Sequence, residues 1–252
     1  MIETLGLFLA IFAGAYLVNA GVYLAMGAGL VALNRARPEA KLQPRRDGIA
    51  RARAEIFESL SSIGYTAFCL ALALTLSLNG WGLWPAETWG LVPTLIALGL
   101  LIVGYDAWFY WAHRLLHTRM FYRYHQWHHK SLAPTPWSAD SQSAVETLMI
   151  QSFMVAATLL LPITPWALVL HRLYDHINGQ IGHAGVEYAG GPLTRAPSPL
   201  VAVRFHDRHH ERFTVNYANY FSIWDRIMGT LDPAYDQEPA DDRHPRPEPR
   251  DA

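Results

Sequence analysis

One stretch of the sequence decides the fold: Asp106-Ala-Trp-Phe-Tyr-Trp-Ala-His113-Arg-Leu-Leu-His117, followed after seven residues by His125-Gln-Trp-His128-His129. An apolar segment leads into this stretch, and five histidines then occur within seventeen positions. His113 and His117 are four residues apart, so a helix would place them on one face. His125, His128 and His129 have the spacing i, i+3 and i+4, which predicts a second helical face lined with imidazoles.

A second copy of the pattern H-x-x-H-H occurs far downstream, with further histidines between the two copies. Histidine fills 12 of 252 positions, so chance would produce the pattern roughly 0.03 times in such a chain. A lone histidine is more often a hydrogen-bonded core or surface residue, but nine at helical spacing beside apolar helices indicate a metal site. The nine candidate ligands are His113, His117, His125, His128, His129, His183, His206, His209 and His210. His176 is a tenth candidate, because it shares a predicted helical face with Gln180 and His183.

The chemistry of histidine explains why two metals are predicted. Neutral imidazole suits iron, zinc, copper and nickel, and each ring binds with one nitrogen while the other donates to a neighbouring acceptor. A single metal takes about four to six ligands. Nine imidazoles therefore favour two metal ions, whose positive charge a nearby carboxylate would help to offset.

Asp106 is the carboxylate predicted to fill that role. It lies two helical turns before His113 on the same stripe, within a segment that is otherwise apolar. A carboxylate is costly there unless it is paired, so we expect it to accept the N–H of a metal-binding imidazole. Asp106→Asn would then weaken metal retention or activity by about 10- to 100-fold. The alternative is an interfacial residue that pairs with Arg114 or with a lipid headgroup.

These motifs resemble those of the fatty acid hydroxylase and sterol desaturase superfamily, whose members are integral-membrane di-iron enzymes. The resemblance covers roughly residues 60–231, with matches at His113-Arg-Leu-Leu-His117, His125-x-x-His128-His129, His183-Ala-Gly185, His206-x-x-His209-His210, Asn216-Tyr217 and Trp224-Asp225-Arg226-Ile-Met-Gly229-Thr230. Many members carry His-Pro-x-Glu after the second cluster, whereas this chain has Ser143-Ala144-Val145-Glu146. One histidine outside the main clusters is therefore missing at this place.

The resemblance implies a membrane-bound oxygenase. Such an enzyme uses two iron ions, O2 and external electrons to hydroxylate or desaturate a C–H bond of a lipid such as a fatty acyl chain or a sterol. Hydroxylation is our first expectation, and a sterol- or carotenoid-type desaturase or hydroxylase of the same superfamily is the alternative.

Zinc could replace iron in purified protein, because divalent-metal affinities favour zinc over ferrous iron. The sequence has no G-x-G-x-x-G and no appended haem or flavin domain, so a separate ferredoxin, cytochrome or reductase is expected to supply the electrons.

Composition and hydropathy predict a membrane protein. Hydrophobic residues make up 51% of the chain and charged residues 16%, and the net charge of −1 gives no indication of nucleic-acid binding. Residues 5–33, 60–78 and 89–111 are each long and apolar enough to span a bilayer. Residues 35–55 contain seven lysines and arginines, which the positive-inside rule assigns to the cytoplasm.

Residues 148–161 and 166–182 are predicted to form a helical hairpin that turns at Pro162 and Pro165. A single kinked span would put the two H-x-x-H-H copies on opposite sides of the membrane, where they could not share a site. The predicted fold is therefore an all-α polytopic membrane bundle of about four to five membrane helices, with a cytoplasmic histidine-rich helical cap that holds a dinuclear metal site. The C-terminus is then cytoplasmic, and the N-terminus lies outside.

Three regions follow from this arrangement. Residues 1–55 form an N-terminal membrane helix and a basic cytoplasmic loop, and residues 56–231 form a fatty acid hydroxylase-like catalytic membrane domain. Residues 232–252 form a disordered, Pro-rich charged tail that contains His244. A histidine-rich membrane metal-binding or transport protein would share this composition and stays open as an alternative class. A zinc hydrolase is not indicated, because the motif H-E-x-x-H is missing.

Overall fold

Helices form the framework of the computed structural model, which describes residues 2–46, 48–188, 192–194, 196 and 198–237. The α-helices within these residues are α1 (Ile2–Arg35), α2 (Ala52–Leu78), α3 (Leu91–Leu116), α4 (Tyr122–His125), α5 (Ala144–Leu160), α6 (Pro165–Gly182), α7 (Val203–Arg212) and α8 (Ile223–Met228). The described residues contain no β-strand, only two isolated bridges between Lys41 and Val186 and between Leu200 and Phe221. The predicted all-α fold class is confirmed.

Among the described residues, three segments are long and apolar enough to cross a membrane: Ile2–Arg35, Gly48–Leu78 and Leu91–Leu116. They correspond to the three spans predicted from the sequence, and they mark the chain as an integral membrane protein. α3 continues five residues past the predicted end of its span, because nothing after Pro93 in the first turn interrupts it. His113 therefore lies within α3, and His117 caps the helix by donating its backbone N–H to the carbonyl of His113.

The predicted hairpin is present as two separate helices, α5 and α6, joined by residues 161–164. Ser143 caps α5 and Thr164 caps α6, each by accepting a backbone N–H of the first turn. The turn lies at the far end of α2, where Ser77 donates to the carbonyl of Ile163 over 2.7 Å. The start of α5 and the end of α6 therefore lie together at the opposite end of the bundle, where the histidines are.

The main apolar core lies between α2, α3, α5 and α6. Its most buried members include Leu70, Leu101, Ile150, Met154 and Leu168. Burying a side chain of this size contributes about 1.5–3 kcal/mol, so the four helices hold one another in place. α1 packs against α2 and α6, which places the first helix on the same bundle.

The connection between α4 and α5 is anchored to α1 and α2. Tyr23 of α1 and Ser59 of α2 both donate to the carbonyl of Trp137, over 2.7 and 3.1 Å. Gly27 permits this approach, because a Cβ atom there would lie only 2.5 Å from the Trp137 ring. The connection ends near Asp140, which is thereby held beside the histidine-bearing end of the bundle.

The packed part of the chain extends past residue 231, where the disordered tail was predicted to begin. Asp232 and Tyr235 are buried, and the Tyr235 hydroxyl donates to the carbonyl of Thr194 and accepts the N–H of Ala202. The prediction of disorder is therefore wrong for residues 232–237, since one aromatic ring with two backbone partners holds a segment that has no apolar periodicity. The remainder of the predicted tail, residues 238–252 with His244, lies outside the described residues.

Candidate metal centre

The nine histidines predicted as ligands lie together at one end of the bundle, in two adjoining groups. One group contains His113, His117, His125, His129 and His209, and the other contains His128, His183, His206 and His210. Each ring contributes one nitrogen, and the contributed atoms of a group all lie within 4.8 Å of one another. Groups of five and four imidazoles match what two separate metal ions can accommodate.

The first H-x-x-H-H motif divides between the two groups. α4 ends at His125, and His128 begins a 3-10 turn, so residues 125–129 do not form one α-helix. His125 and His129 belong to the group of five, whereas His128 belongs to the group of four. The prediction that this motif lines a single helical face is therefore wrong.

The second motif divides in the opposite sense. His206 and His210 of α7 belong to the group of four, and His209 belongs to the group of five. Neighbouring residues point about 100° apart around a helix of 3.6 residues per turn. α7 therefore lies between the two groups and contributes histidines to both. The adjacent residues His209 and His210 belong to different groups.

Lone pairs face one another inside the group of five. His113 donates its Nδ1–H to the carbonyl of Tyr217 over 2.7 Å, and His125 donates its Nδ1–H to the Glu146 carboxylate over 2.8 Å. A neutral imidazole carries one hydrogen, so both Nε2 atoms are bare acceptors, yet they lie only 3.1 Å apart. Two acceptors at this distance repel each other unless a cation lies between them.

The nitrogen separations also fit metal ligands. At metal–nitrogen distances of about 2.1 Å, two ligands at right angles lie about 3.0 Å apart, whereas two at the tetrahedral angle lie about 3.4 Å apart. His209 Nε2 lies 3.1 Å from the Nε2 atoms of both His117 and His129. In the group of four, His206 Nε2 lies 2.9 Å from His183 and 3.0 Å from His210. The separations are therefore short enough for the facing nitrogens of each group to share one metal ion.

Burial keeps these imidazoles in the form that binds metals. Loss of hydration, together with the neighbouring imidazoles, lowers the pKa of His206, His209 and His210 well below the ordinary histidine value. The same two causes lower the pKa of His128. These rings are therefore neutral at physiological pH, and each has a lone pair available for a cation.

Backbone and carboxylate acceptors hold the other nitrogen of several rings. His209 Nδ1–H donates to the carbonyl of Val215, and His183 Nδ1–H donates to the carbonyl of Gly179, each over 2.7 Å. Glu146, which is fully buried at the start of α5, holds His125. Such partners fix the ring orientation and the tautomer. Sequence reasoning did not assign this role to Glu146, although the residue was part of the segment compared with His-Pro-x-Glu.

Asp225 of α8 holds the chain segment that receives His113. Its two carboxylate oxygens accept the backbone N–H groups of Tyr217 and Ala218, both over 2.9 Å, and one of them also accepts the hydroxyl of Thr230 over 2.7 Å. The carbonyl of Tyr217 is thereby directed at His113. Sequence reasoning missed this role, yet Asp225 and Thr230 both occur in the motif that carried the family resemblance.

Asp106 supports the same segment and does not bond to an imidazole. Its Oδ1 accepts the backbone N–H groups of Tyr220 and Phe221 over 2.7 and 3.2 Å. The predicted bond from an imidazole N–H to Asp106 is therefore wrong. The reason is that the tertiary fold brings residues 220 and 221 to this part of α3, where their backbone N–H groups bind the carboxylate. Asp106 and Asp225 thus bind the same segment, whose Tyr217 carbonyl accepts from His113.

Asp106→Asn is accordingly expected to have a smaller effect than Asp106→Ala. The asparagine keeps an oxygen that can accept both N–H groups, so we expect metal retention within about 3-fold of the parent protein. The alanine leaves two buried N–H groups without an acceptor and should weaken metal retention by about 10- to 100-fold. Iron per chain after dialysis against a chelator measures both. Equal losses in the two variants would show that the charge of Asp106 matters and not its bonds to the segment.

His176, the tenth candidate, lies outside both groups. Its Nδ1 accepts a hydrogen bond from the guanidinium of Arg172 over 2.5 Å, one turn earlier on α6. The shared helical face of His176, Gln180 and His183 is present, but only His183 lies near enough to the end of α6 to reach the other histidines.

A cavity of about 260 Å³ adjoins both groups of histidines. His113 and His125 of the group of five line it, as do His128, His183 and His206 of the group of four. Apolar side chains such as Phe109, Ile150 and Val203 line another part, and polar side chains of α6 and the connection before α5 line the rest. The cavity can therefore hold part of a molecule directly against the candidate metal ligands.

Known proteins share the part of the chain that builds this centre. The chain is 37% identical over 129 residues to methylsterol monooxygenase 1 of Gallus gallus, covering 50% of this chain and 42% of that protein. It is 39% identical over 137 residues to methylsterol monooxygenase 1 of Rattus norvegicus, covering 53% and 45%. A Delta(7)-sterol 5(6)-desaturase of Gibberella zeae is 29% identical over 132 residues, covering 52% and 36%. The chain thus spans less than half the length of these relatives, and no solved structure matches it.

A family match covers the same region. Residues 98–230, more than half of the chain, match the family described as fatty acid hydroxylase. The matched region contains all nine histidines of the two groups, together with Asp106, Glu146 and Asp225. The chain belongs to the fatty acid hydroxylase family.

Proposed function

We propose that this protein is a membrane-bound oxygenase that holds two iron ions and uses O2 and external electrons to hydroxylate or desaturate a C–H bond of a lipid. The observation that carries the proposal is the convergence of nine neutral imidazoles in two adjoining groups beside a cavity. The catalytic domain of this proposal comprises residues 56–231, preceded by a membrane helix and a basic loop in residues 1–55.

The nine histidines are the proposed ligands, five for one ion and four for the other. Iron ions held there would supply an oxidant strong enough to attack an unactivated C–H bond. Zinc is a possible replacement in purified protein because of its higher affinity for imidazole sites. Glu146 and the carbonyls of Val215, Tyr217 and Gly179 orient four of the rings.

The overall reaction determines which reactants must reach the site besides the lipid: O2, electrons and protons. Hydroxylation consumes one O2, two electrons and two protons, and it leaves one oxygen atom in the lipid and the other in water. Desaturation consumes the same reactants, removes two hydrogen atoms from the lipid and forms two waters. Both outcomes require an electron donor, and we propose a separate ferredoxin, cytochrome or reductase.

The cavity supports a lipid as the substrate. Phe109 and Ile150 offer apolar surface on the side of α3 and α5, and both helices belong to the membrane bundle. The relatives named above are two methylsterol monooxygenases and a sterol desaturase, which supports a sterol as the lipid class. A fatty acyl chain is the second substrate class in the proposal.

We propose that the histidine groups and the C-terminus face the cytoplasm and that the N-terminus lies outside. The seven lysines and arginines of residues 35–55 support this orientation through the positive-inside rule. The bridge between Lys41 and Val186 adds to it, because it joins the basic loop to the chain just after His183. The electron donor would then approach from the cytoplasm.

Isotope labelling tests the proposed function. Full-length protein, purified gently and loaded with ferrous iron, is incubated with a sterol-containing membrane lipid extract, a chemical reductant and ¹⁸O2. We expect a lipid product that carries one ¹⁸O atom after hydroxylation, or one that is lighter by two hydrogen atoms after desaturation. Omitting O2 or the reductant should abolish the product.

A metal-transport function gives a different outcome. In that case iron or zinc would enter vesicles that contain the protein, and no lipid would change in mass. Iron-loaded protein that takes up metal into vesicles and forms no O2-dependent lipid product would overturn the proposal.

A further inference from the structure

One wall of the cavity contains none of the nine candidate ligands and is polar. Its side chains come from α6, α5 and the connection before α5: Asp140, Gln151, Arg172, Asp175, His176 and Asn219, the last from the segment before α8. The family resemblance assigns no role to this wall. Polar groups that line a cavity next to candidate metal ligands can bind a substrate through the hydrogen bonds that they have not already formed within the protein.

His176 offers a hydrogen-bond donor. Its Nδ1 faces the guanidinium of Arg172, and a guanidinium can only donate, so Nδ1 is the acceptor. The ring hydrogen is then on Nε2. This atom is buried and has no hydrogen-bond partner among the described residues, in a side chain that is only 3% exposed. An unmatched buried donor is unfavourable, which indicates that a ligand accepts from it.

Asp140 offers a hydrogen-bond acceptor. Its carboxylate oxygens lie 3.6 Å from Arg172 and 3.9 Å from His176 Nδ1, which are ion-pair distances and too long for hydrogen bonds. A carboxylate can accept about four hydrogen bonds. Asp140 therefore stands beside His176 with capacity to accept from a ligand in the same cavity.

The charges of the wall exclude an anionic ligand group. The guanidinium of Arg172 already donates to Asn19, Asp175 and His176. Asp140 and Asp175 bring two negative charges against this single positive charge, so a carboxylate or phosphate headgroup would be repelled. A neutral hydroxyl fits, because it can accept from His176 and donate to Asp140 at the same time.

We propose that Asp140 and His176 bind the hydroxyl group of a lipid alcohol and thereby select the substrate and the carbon that faces the histidines. This inference rests on the proposed function, since it takes the oxidised lipid to be the occupant of the cavity. The cavity volume of about 260 Å³ is below the range of about 300–1,000 Å³ that is usual for sites enclosing a whole drug-sized ligand. Only the hydroxyl-bearing end therefore enters the cavity. His176 lies seven residues, or about 10 Å, before His183 on α6, so a hydroxyl bound there fixes which carbon further along the molecule faces the candidate ligands.

Binding of matched probes tests the inference. Iron-loaded full-length protein in phosphatidylcholine nanodiscs is titrated with cholesterol, with cholest-5-ene, which lacks the hydroxyl, and with cholesteryl methyl ether, which accepts but does not donate. Concentrations are expressed as mole fractions of the bilayer, so that the partitioning of each probe does not affect the comparison. We expect cholesterol to bind about 10- to 100-fold more tightly than the hydrocarbon, with the ether between them.

Variants identify the residues. Asp140→Asn and His176→Phe should each reduce the preference for the alcohol by about 10-fold or more. His171→Phe is the matched control, because His171 is a buried histidine of the same helix that does not line the cavity. It should keep the preference, and all three variants should keep the parental iron content.

The outcomes separate the two proposals. If the wild-type protein shows no preference for the alcohol, or if both variants retain it, the hydroxyl site is wrong. A preference lost equally in His171→Phe also overturns the hydroxyl site, because the effect would then be general to α6.

The ¹⁸O2 experiment tests the oxygenase independently. A lipid product without an alcohol preference refutes the hydroxyl site alone. An alcohol preference without any O2-dependent product refutes the oxygenase and leaves a lipid-alcohol site.

Discussion

Replacing His209 by alanine is expected to abolish turnover and to lower the bound iron from two ions per chain to one. His209 Nε2 lies 3.1 Å from both His117 and His129 Nε2, so it stands in the middle of the group of five. Loss of a residue that only orients a ligand typically weakens metal affinity or activity by about 10- to 100-fold. Loss of the ligand itself should therefore reduce turnover by more than about 100-fold. Elemental analysis and the ¹⁸O2 assay measure the two effects on the same preparation.

His206→Ala tests the other group in the same way. His206 Nε2 lies within 3.0 Å of both His183 and His210 Nε2, and three imidazoles remain after the change. We expect one iron ion per chain and no turnover, as with His209→Ala, while the double variant should hold none. One ion in each single variant and none in the double variant would indicate two separate metal sites, because a single shared site would not lose its ions one at a time.

His171→Ala provides the control for both ligand variants. His171 is as buried as the ligands but lies outside both groups, so the change removes a core imidazole without removing a proposed ligand. We expect two iron ions per chain in this variant. The ligand assignment is wrong if alanine variants of three or more of the nine histidines keep parental iron content and turnover.

Asp225→Ala should nearly match the loss of a ligand, although Asp225 is not a member of either group of candidate ligands. The change removes the acceptor of the buried N–H groups of Tyr217 and Ala218. Each unmatched group costs about 1–3 kcal/mol, so the free energy of unfolding should fall by about 2–6 kcal/mol. The carbonyl of Tyr217 would no longer be directed at His113, and iron affinity should fall by about 10- to 100-fold.

Two comparison variants separate stability from metal binding. Asp225→Asn keeps an oxygen acceptor in place, so we expect most of the stability to return while part of the metal loss remains. Asp236→Ala removes a nearby, partly exposed carboxylate that pairs with Arg226 over 2.6 Å, and it should leave the iron content unchanged. Thermal unfolding and iron per chain give the two readouts. Parental iron affinity in a folded Asp225→Ala protein would refute the positioning role.

Local sequence features were sufficient to predict the helical architecture. Uninterrupted apolar runs predicted the three spans, because the length of a helix and the thickness of a bilayer are related directly. The turn between α5 and α6 followed from Pro162 and Pro165 and from the requirement that both H-x-x-H-H copies share one side. The nine candidate ligands followed from histidine frequency and spacing alone.

Tertiary packing decided how the ligands are divided and what holds them. Spacing along a helix describes which residues share a face, but it cannot assign His128 and His129 to different groups. That assignment depends on α7 and on the end of α6, which approach from more than fifty residues away. Packing also set the partners of Asp106, because the tertiary fold brings Tyr220 and Phe221, more than one hundred residues away along the chain, to α3, where their N–H groups bind its carboxylate.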